Sequence, residues 1–168
     1  MSIRRLIYSI AIYLFVPIIV FRLLIRSRKN PEFRHRLAER FGFVPILKNK
    51  PTIWLHAVSV GETLGAKPLV NKLIKQYPKH HILITNTTLT GSATAKKLFA
   101  DQVKHAYFPY DLFGSLRRFI NRTKPEKLII METEIWPNLY AICKQRGIPI
   151  LLANARLSQR SMRSYLKI

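Results

Sequence analysis

The chain is poor in acid. Only 8 Asp and Glu stand against 29 Lys and Arg in 168 residues, giving a formal net charge of +21. So large an imbalance implies an anionic partner: nucleic acid, an anionic membrane surface or a phosphorylated substrate. Charge alone does not choose among them. The single cysteine, Cys143, excludes an internal disulfide framework and any CxxC redox or metal site. There is no DxD, the usual carboxylate pair for a metal-held nucleotide sugar, and no HExxH, GxSxG, GxGxxG or P-loop spacing. No internal repeat, low-complexity tract or recognised nucleic-acid-binding motif is found, and nucleic acid is the least supported of the three partners.

What is present begins with an apolar segment. Leu6 to Phe21 reads LIYSIAIYLFVPIIVF, sixteen residues without a charge, and Leu23 to Ile25 extend it past Arg22. A spanning helix needs about 20 apolar residues, so the run reaches that length only if Arg22 snorkels from near the helix end. A cleaved signal peptide would require a small-residue cleavage site, which FRLLIRSRK does not supply. A soluble core helix is disfavoured because apolar residues wrap all round. Residues 1–29 are therefore read as a membrane anchor, spanning or lying in the interface. The dense basic residues from Arg22 to Lys50 place the rest of the chain on the cytoplasmic side if the segment spans. They would also hold it against anionic headgroups. Residues 30–50 form an amphipathic basic segment, in which RHRLAERFGF is expected to be a helix with Leu37 and Phe41 on one face.

From Pro51 onward, short β-branched and apolar runs alternate with helical patterns. Strands are expected at Thr52–Val58, His81–Asn86, His105–Tyr110, Lys127–Met131 and Ile148–Asn154. Helices are expected at Gly65–Tyr77, from about Ser92 to Phe99, at Leu112–Arg122 and at Pro137–Arg146. This alternation implies an α/β domain over residues 51–168, a Rossmann-like parallel sheet covered on both faces. Ligands of such sheets bind beyond the carboxyl ends of the strands.

Three of the few acids lie there. Glu62 follows the first strand through Ser59-Val60-Gly61, and Glu132 and Glu134 follow the fourth. A carboxylate at that edge can serve as a general base. It can equally be structural: Glu62 as a helix cap, Glu132 and Glu134 as partners of Arg or Lys. Gly61 would let the backbone approach a ligand closely. Thr90, Gly91 and Ser92, after the second strand, suit a phosphate or sugar oxygen at a helix N-terminus, although Thr90 or Ser92 as an N-cap explains the same residues. Arg156, after the fifth strand, can meet an anion or pair with Glu132 or Glu134. His56 is read as a satisfied core histidine, and Trp136-Pro137 as shaping a turn.

Five segments then occur in order: WLHAVSVGE (Trp54–Glu62), TGS (Thr90–Ser92), FPYD (Phe108–Asp111), METEIWPN (Met131–Asn138) and NARLSQRS (Asn154–Ser161). With them the chain resembles the N-terminal part of a transferase of 3-deoxy-D-manno-octulosonic acid (Kdo) in lipopolysaccharide assembly. Leu89 departs from the proline more usual in that family. The resemblance implies the N-terminal domain of a two-domain GT-B glycosyltransferase at the cytoplasmic face of the inner membrane, with a lipid A precursor (lipid IVA) as acceptor. It also implies CMP-Kdo as donor, with inversion, no metal and no cofactor. Glu62 would be the general base, Glu132 would stabilise the transition state and Glu134 would contribute less. Ser59, Gly61, Thr90, Gly91, Ser92 and Arg156 would contact substrate. The chain is expected to stop before the donor-binding half, and so not to turn over CMP-Kdo alone.

Overall fold

The computed structural model describes residues 3–29 and 36–155. Five parallel strands make one sheet in the order β3-β2-β1-β4-β5, with β1 Thr52–His56, β2 His81–Asn86, β3 Lys104–Tyr107, β4 Pro125–Met131 and β5 Ile150–Ala153. Every residue of β1 is buried, as a central parallel strand covered on both faces requires. Alternate side chains enter opposite halves of the core. Ile53 and Leu55 join Ile82, Ile84, Val70 and Phe99 on one side; Trp54 joins Leu128, Ile130, Phe119 and Leu139 on the other. The α/β reading from the sequence is the architecture observed.

Helices connect the strands: α2 Val60–Gly65 and α3 Lys67–Gln76 after β1, α4 Leu89–Phe99 after β2, α5 Phe113–Thr123 after β3 and α6 Pro137–Gln145 after β4. The apolar N-terminal segment is one helix, α1, Ile3–Lys29, with Pro17 inside it. Its stretch Ile3–Ile25 is long and apolar enough to cross a membrane, with mean hydropathy 2.2.

Three sequence expectations change. The helix expected to start at Gly65 is preceded by α2, so Gly61 and Glu62 lie within a helical first turn rather than in a loop. The helix expected from about Ser92 begins at Leu89, which takes Thr90, Gly91 and Ser92 into the first turn of α4. Of RHRLAERFGF, residues 34 and 35 lie outside the described residues, and the remainder forms a single 3-10 turn, Leu37–Phe41, not an amphipathic α-helix. Tertiary bonds explain the last change. Arg36 and Arg40, which a surface helix would turn to solvent, both lie over the Tyr107 ring, at 4.7 and 4.4 Å from its centre. The Glu39 carboxylate accepts from the Tyr107 amide at 2.8 Å.

Candidate active site

The strand order reverses between β1 and β4, and in a doubly wound sheet that switch point opens a crevice beyond the carboxyl ends. Glu62 leaves β1 there, and Glu132 and Glu134 leave β4. Residues separated by seventy positions are thus brought to one edge by the pairing of β1 with β4.

Glu62 is 8% exposed and tied to its own helix start. Its carboxylate accepts from the Val58 amide at 2.7 Å and from the Ser59 hydroxyl at 3.1 Å, while the Ser59 Oγ accepts from the Glu62 amide. This resembles an S-x-x-E capping box with Ser59 as N-cap, except that the carboxylate reaches the amide of Val58, one residue before the cap, rather than that of Ser59. The pattern stood in the sequence as Ser59-Val60-Gly61-Glu62 and marks the true helix start. Gly61 is exposed, and an added Cβ would meet nothing closer than Ser59 Oγ at 3.9 Å, so packing does not demand glycine there.

Glu132 adopts φ 59°, an uncommon conformation for a residue with a Cβ, and its amide donates to the Ala153 carbonyl at 2.8 Å. Strained backbone of this kind, about 1–3 kcal/mol, persists where surrounding structure over-determines it and clusters at functional sites. The Glu134 carboxyl is raised above the usual range, first by burial and then by the charges of Glu62 and Glu132. Glu134 thus lies within electrostatic reach of both Glu62 and Glu132, and its carboxyl holds a proton more readily than an isolated acid. Among the described residues, no group of three His, Cys, Asp or Glu is placed to hold a metal ion.

The N-terminus of α4 lies on the neighbouring strand. Thr88, rather than Thr90 or Ser92, is its N-cap, accepting from the Gly91 amide at 3.0 Å. Gly91 is required sterically, because a Cβ would lie 2.8 Å from Thr88 Oγ1 and 3.1 Å from Asn86 Nδ2. Ser92 is buried and accepts from Arg36 at 3.2 Å; Thr90 is exposed. Arg156 lies outside the described residues.

Sequence reasoning missed the polar relay that ties these parts together. Arg36 pairs with Glu39 and donates to the His105 carbonyl; its Nη2 also lies 3.0 Å from His105 Nδ1. The other ring nitrogen of His105 sits 2.9 Å from Asn86 Oδ1, and Asn86 Nδ2 donates to Ala57 O and Thr63 Oγ1. Thr63 in turn donates to the Ser59 carbonyl at 2.7 Å, closing the relay on the Glu62 cap. Burial, with Arg36 and Lys96 nearby, pushes His105 down to about 3, so the ring stays neutral and bridges donor and acceptor. Only the i,i+3 Arg36–Glu39 spacing hinted at any of this. His56, read as satisfied, is half so: it is fully buried and stacked 4.0 Å from Phe108, with Nδ1 against Thr85 and Nε2 lacking a partner among the described residues.

Asp111, of the FPYD segment, holds the start of α6 from outside that helix. Its carboxylate accepts from the Asn138 amide at 3.0 Å and the Leu139 amide at 2.8 Å, and its carbonyl accepts from Asn138 Nδ2. Burial raises this carboxyl to about 6, although the two amides and the Tyr8 hydroxyl pull the other way. Because the folded value lies above the unfolded value of about 3.9, the group's stabilising contribution is full below about pH 4 and is lost as pH rises through about 6. Unfolding in detergent should show a loss of about 2–3 kcal/mol across that window attributable to Asp111, from 1.36 kcal/mol per pKa unit. Asp111→Asn should flatten it, and an unchanged pH slope in that variant would show that other groups set it.

Two open clefts of about 410 and 400 Å³ lie near the start of β2 and β3, lined in part by His81 and Lys104. Neither includes a site residue expected from the sequence, although His105 of the relay lines the first.

Comparison with known proteins returns a family. The family model described as 3-deoxy-D-manno-octulosonic-acid transferase matches residues 35–168. The chain is 45% identical over 166 residues to the 3-deoxy-D-manno-octulosonic acid transferase of Haemophilus influenzae, covering 98% of this chain and 39% of that protein. It is 36% identical over 168 residues to the enzyme of that name from Bordetella pertussis, covering 95% and 39%. A probable mitochondrial 3-deoxy-D-manno-octulosonic acid transferase of Arabidopsis thaliana is 32% identical, covering 96% and 35%. The chain thus spans about two-fifths of the length of these relatives.

Proposed function

The chain belongs to the 3-deoxy-D-manno-octulosonic-acid (Kdo) transferase family, and from that premise we propose that its sheet domain is the acceptor-binding, general-base half of a transferase. The whole protein moves Kdo from CMP-Kdo to a lipid A precursor of the lipid IVA kind, at the cytoplasmic face of the inner membrane. The observation that carries this reading is the convergence of Glu62, Glu132 and Glu134 at the switch point of the sheet. In the proposed step Glu62 takes the proton of an acceptor hydroxyl as its oxygen bonds to the anomeric carbon of Kdo. The bond from that carbon to the CMP phosphate breaks, and CMP leaves as a stabilised anion with its electron pair. Inversion follows from a single displacement.

Glu132, and to a smaller degree Glu134, stabilise positive charge developing on the sugar. Ser59, Gly61, Thr90, Gly91, Ser92 and Arg156 surround the acceptor's polar groups. In this reading no metal or cofactor takes part, because the phosphate of CMP already leaves as an anion. A basic, membrane-held domain suits an acceptor that is itself an anionic lipid.

A second reading has one observation in its favour. The Glu62 carboxylate is engaged in capping α2, as in a non-catalytic module that binds acidic lipid.

The test is transfer from CMP-Kdo to lipid IVA in membranes containing these residues joined to a family-type C-terminal domain. Transfer should be robust and unchanged by excess EDTA. Loss of transfer on chelation, restored by a divalent cation, would contradict the metal-free step. No transfer, with lipid IVA binding retained, would favour the binding module.

A further inference from the structure

Asn86 closes β2 and is fully buried, with both polar atoms of its side chain engaged. The donors and acceptors around it leave that side chain one orientation. A guanidinium only donates, so His105 Nδ1, 3.0 Å from Arg36 Nη2, accepts. The neutral ring then carries its proton on Nε2 and donates to Asn86 Oδ1 at 2.9 Å. With Oδ1 committed to His105, the amide nitrogen faces β1 and α2. There it donates to Ala57 O at 2.6 Å and to Thr63 Oγ1 at 2.9 Å.

Each of those two bonds leads to one oxygen of Glu62. Ala57 O belongs to the same peptide group as the Val58 amide, which donates to Glu62 Oε2 at 2.7 Å. A donor at the carbonyl end of a planar peptide polarises its N–H and fixes the direction in which that N–H points. Thr63 Oγ1, having accepted from Asn86, donates to the Ser59 carbonyl at 2.7 Å, and Ser59 Oγ donates to Glu62 Oε1 at 3.1 Å. One buried amide thus governs both anchors of the carboxylate. Capping α2 alone calls only for Ser59 and Glu62, not for an asparagine on the neighbouring strand. A base, by contrast, must meet a hydroxyl at a set distance and angle, and an error of about 1 Å can cost 10²-fold in rate. We propose that Asn86 and Thr63 are positioning residues, which hold the Glu62 carboxylate in the orientation from which it takes the acceptor's proton. The inference rests on the reading of Glu62 as the general base. Asn86 and Thr63 are buried out of reach of a substrate, so their effect falls on kcat and not on acceptor binding.

Thr63→Val keeps the buried volume and breaks one of the two routes; Asn86→Leu breaks both. The protein for the test is this chain joined to a family-type C-terminal domain. There Thr63→Val should lower kcat per folded molecule by about 10¹–10²-fold, with KM for lipid IVA changed by less than about twofold. Thr63→Ser, which keeps the hydroxyl, should restore most of the rate. Asn86→Leu should lose at least as much as Thr63→Val; if it does not fold, the threonine pair decides alone. The readout that a merely structural role would not move is the double mutant. With Glu62→Gln already present, Thr63→Val should add less than about twofold, because the group it aligns is gone. The same loss from Thr63→Val in both backgrounds, or a rise in KM in step with the fall in kcat, overturns the proposal. So does an unchanged kcat in Thr63→Val or in folded Asn86→Leu, or no recovery in Thr63→Ser. If Glu62→Gln itself leaves transfer intact, the general-base reading has failed beneath the inference. A collapse with Glu62→Gln and none with Thr63→Val counts against the positioning role alone.

Discussion

Glu62→Gln should lower Kdo transfer by about 10²–10⁴-fold, the range for loss of a positioned general base, while changing thermal stability little. The structure makes the separation of these two readouts necessary, because Glu62 has a structural task in hand. A carboxylate offers about four lone-pair sites, and the Val58 amide and the Ser59 hydroxyl occupy two. Acceptor capacity remains for a substrate proton without breaking the cap. Glutamine keeps an oxygen for the Val58 amide, and the Ser59 hydroxyl can rotate to accept from the new NH₂ group. The folded state therefore loses about 1 kcal/mol or less, the scale of a capping interaction. What glutamine cannot do is take a proton at neutral pH. A rate that collapses while the melting temperature holds identifies a base. A melting temperature that falls while transfer survives leaves Glu62 as a cap and no more.

Gly42→Ala should destabilise the fold by about 3–4 kcal/mol or prevent it from forming, read as the denaturant midpoint or as soluble yield. Gly42 ends the 3-10 turn with φ 82°, where a residue bearing a Cβ costs about 1–2 kcal/mol. An added Cβ would also lie 2.2 Å from the Ser115 carbonyl oxygen and 3.0 Å from the Phe119 amide nitrogen, both backbone atoms of α5. Backbone in a packed helix cannot rotate aside as a side chain can, so the turn would have to lift. Lifting it would break the Arg36 and Glu39 bonds to Ser92, His105 and Tyr107 that brace the helix starts of the site. A second effect follows: any Gly42→Ala protein that does fold should show weakened transfer. A variant of native stability would mean that the turn moves freely on α5.

Local pattern carried the reading as far as local physics acts. Strands of a parallel sheet are buried on both faces and so appear as continuous apolar runs, which is why HILITN and KLIIM announce themselves. Helix starts were less legible. Gly61 and Gly65 disguised α2, although the Ser59–Glu62 spacing marks its beginning; Leu89 concealed the start of α4, whose cap, Thr88, lies one residue earlier. Asp111 lay within a quoted segment without a role, because the amides that it caps are twenty-seven positions away.

By itself the sequence determined the elements: an apolar helix at the N-terminus, five strands alternating with helices, and carboxylates after the first and fourth strands. These follow from side-chain period and from the few residues that occupy strand ends. Only the tertiary structure decided that β1 pairs with β4, which brings three separated acids to one edge of the sheet, and that Arg36 and Glu39 bond Ser92, His105 and Tyr107. It likewise decided that Ser9, near the start of α1, bonds Asn138 at the start of α6. Each of these depends on contacts between residues far apart in the chain, whose free energy comes from joint burial and mutual hydrogen bonding, and no local periodicity encodes such a pairing.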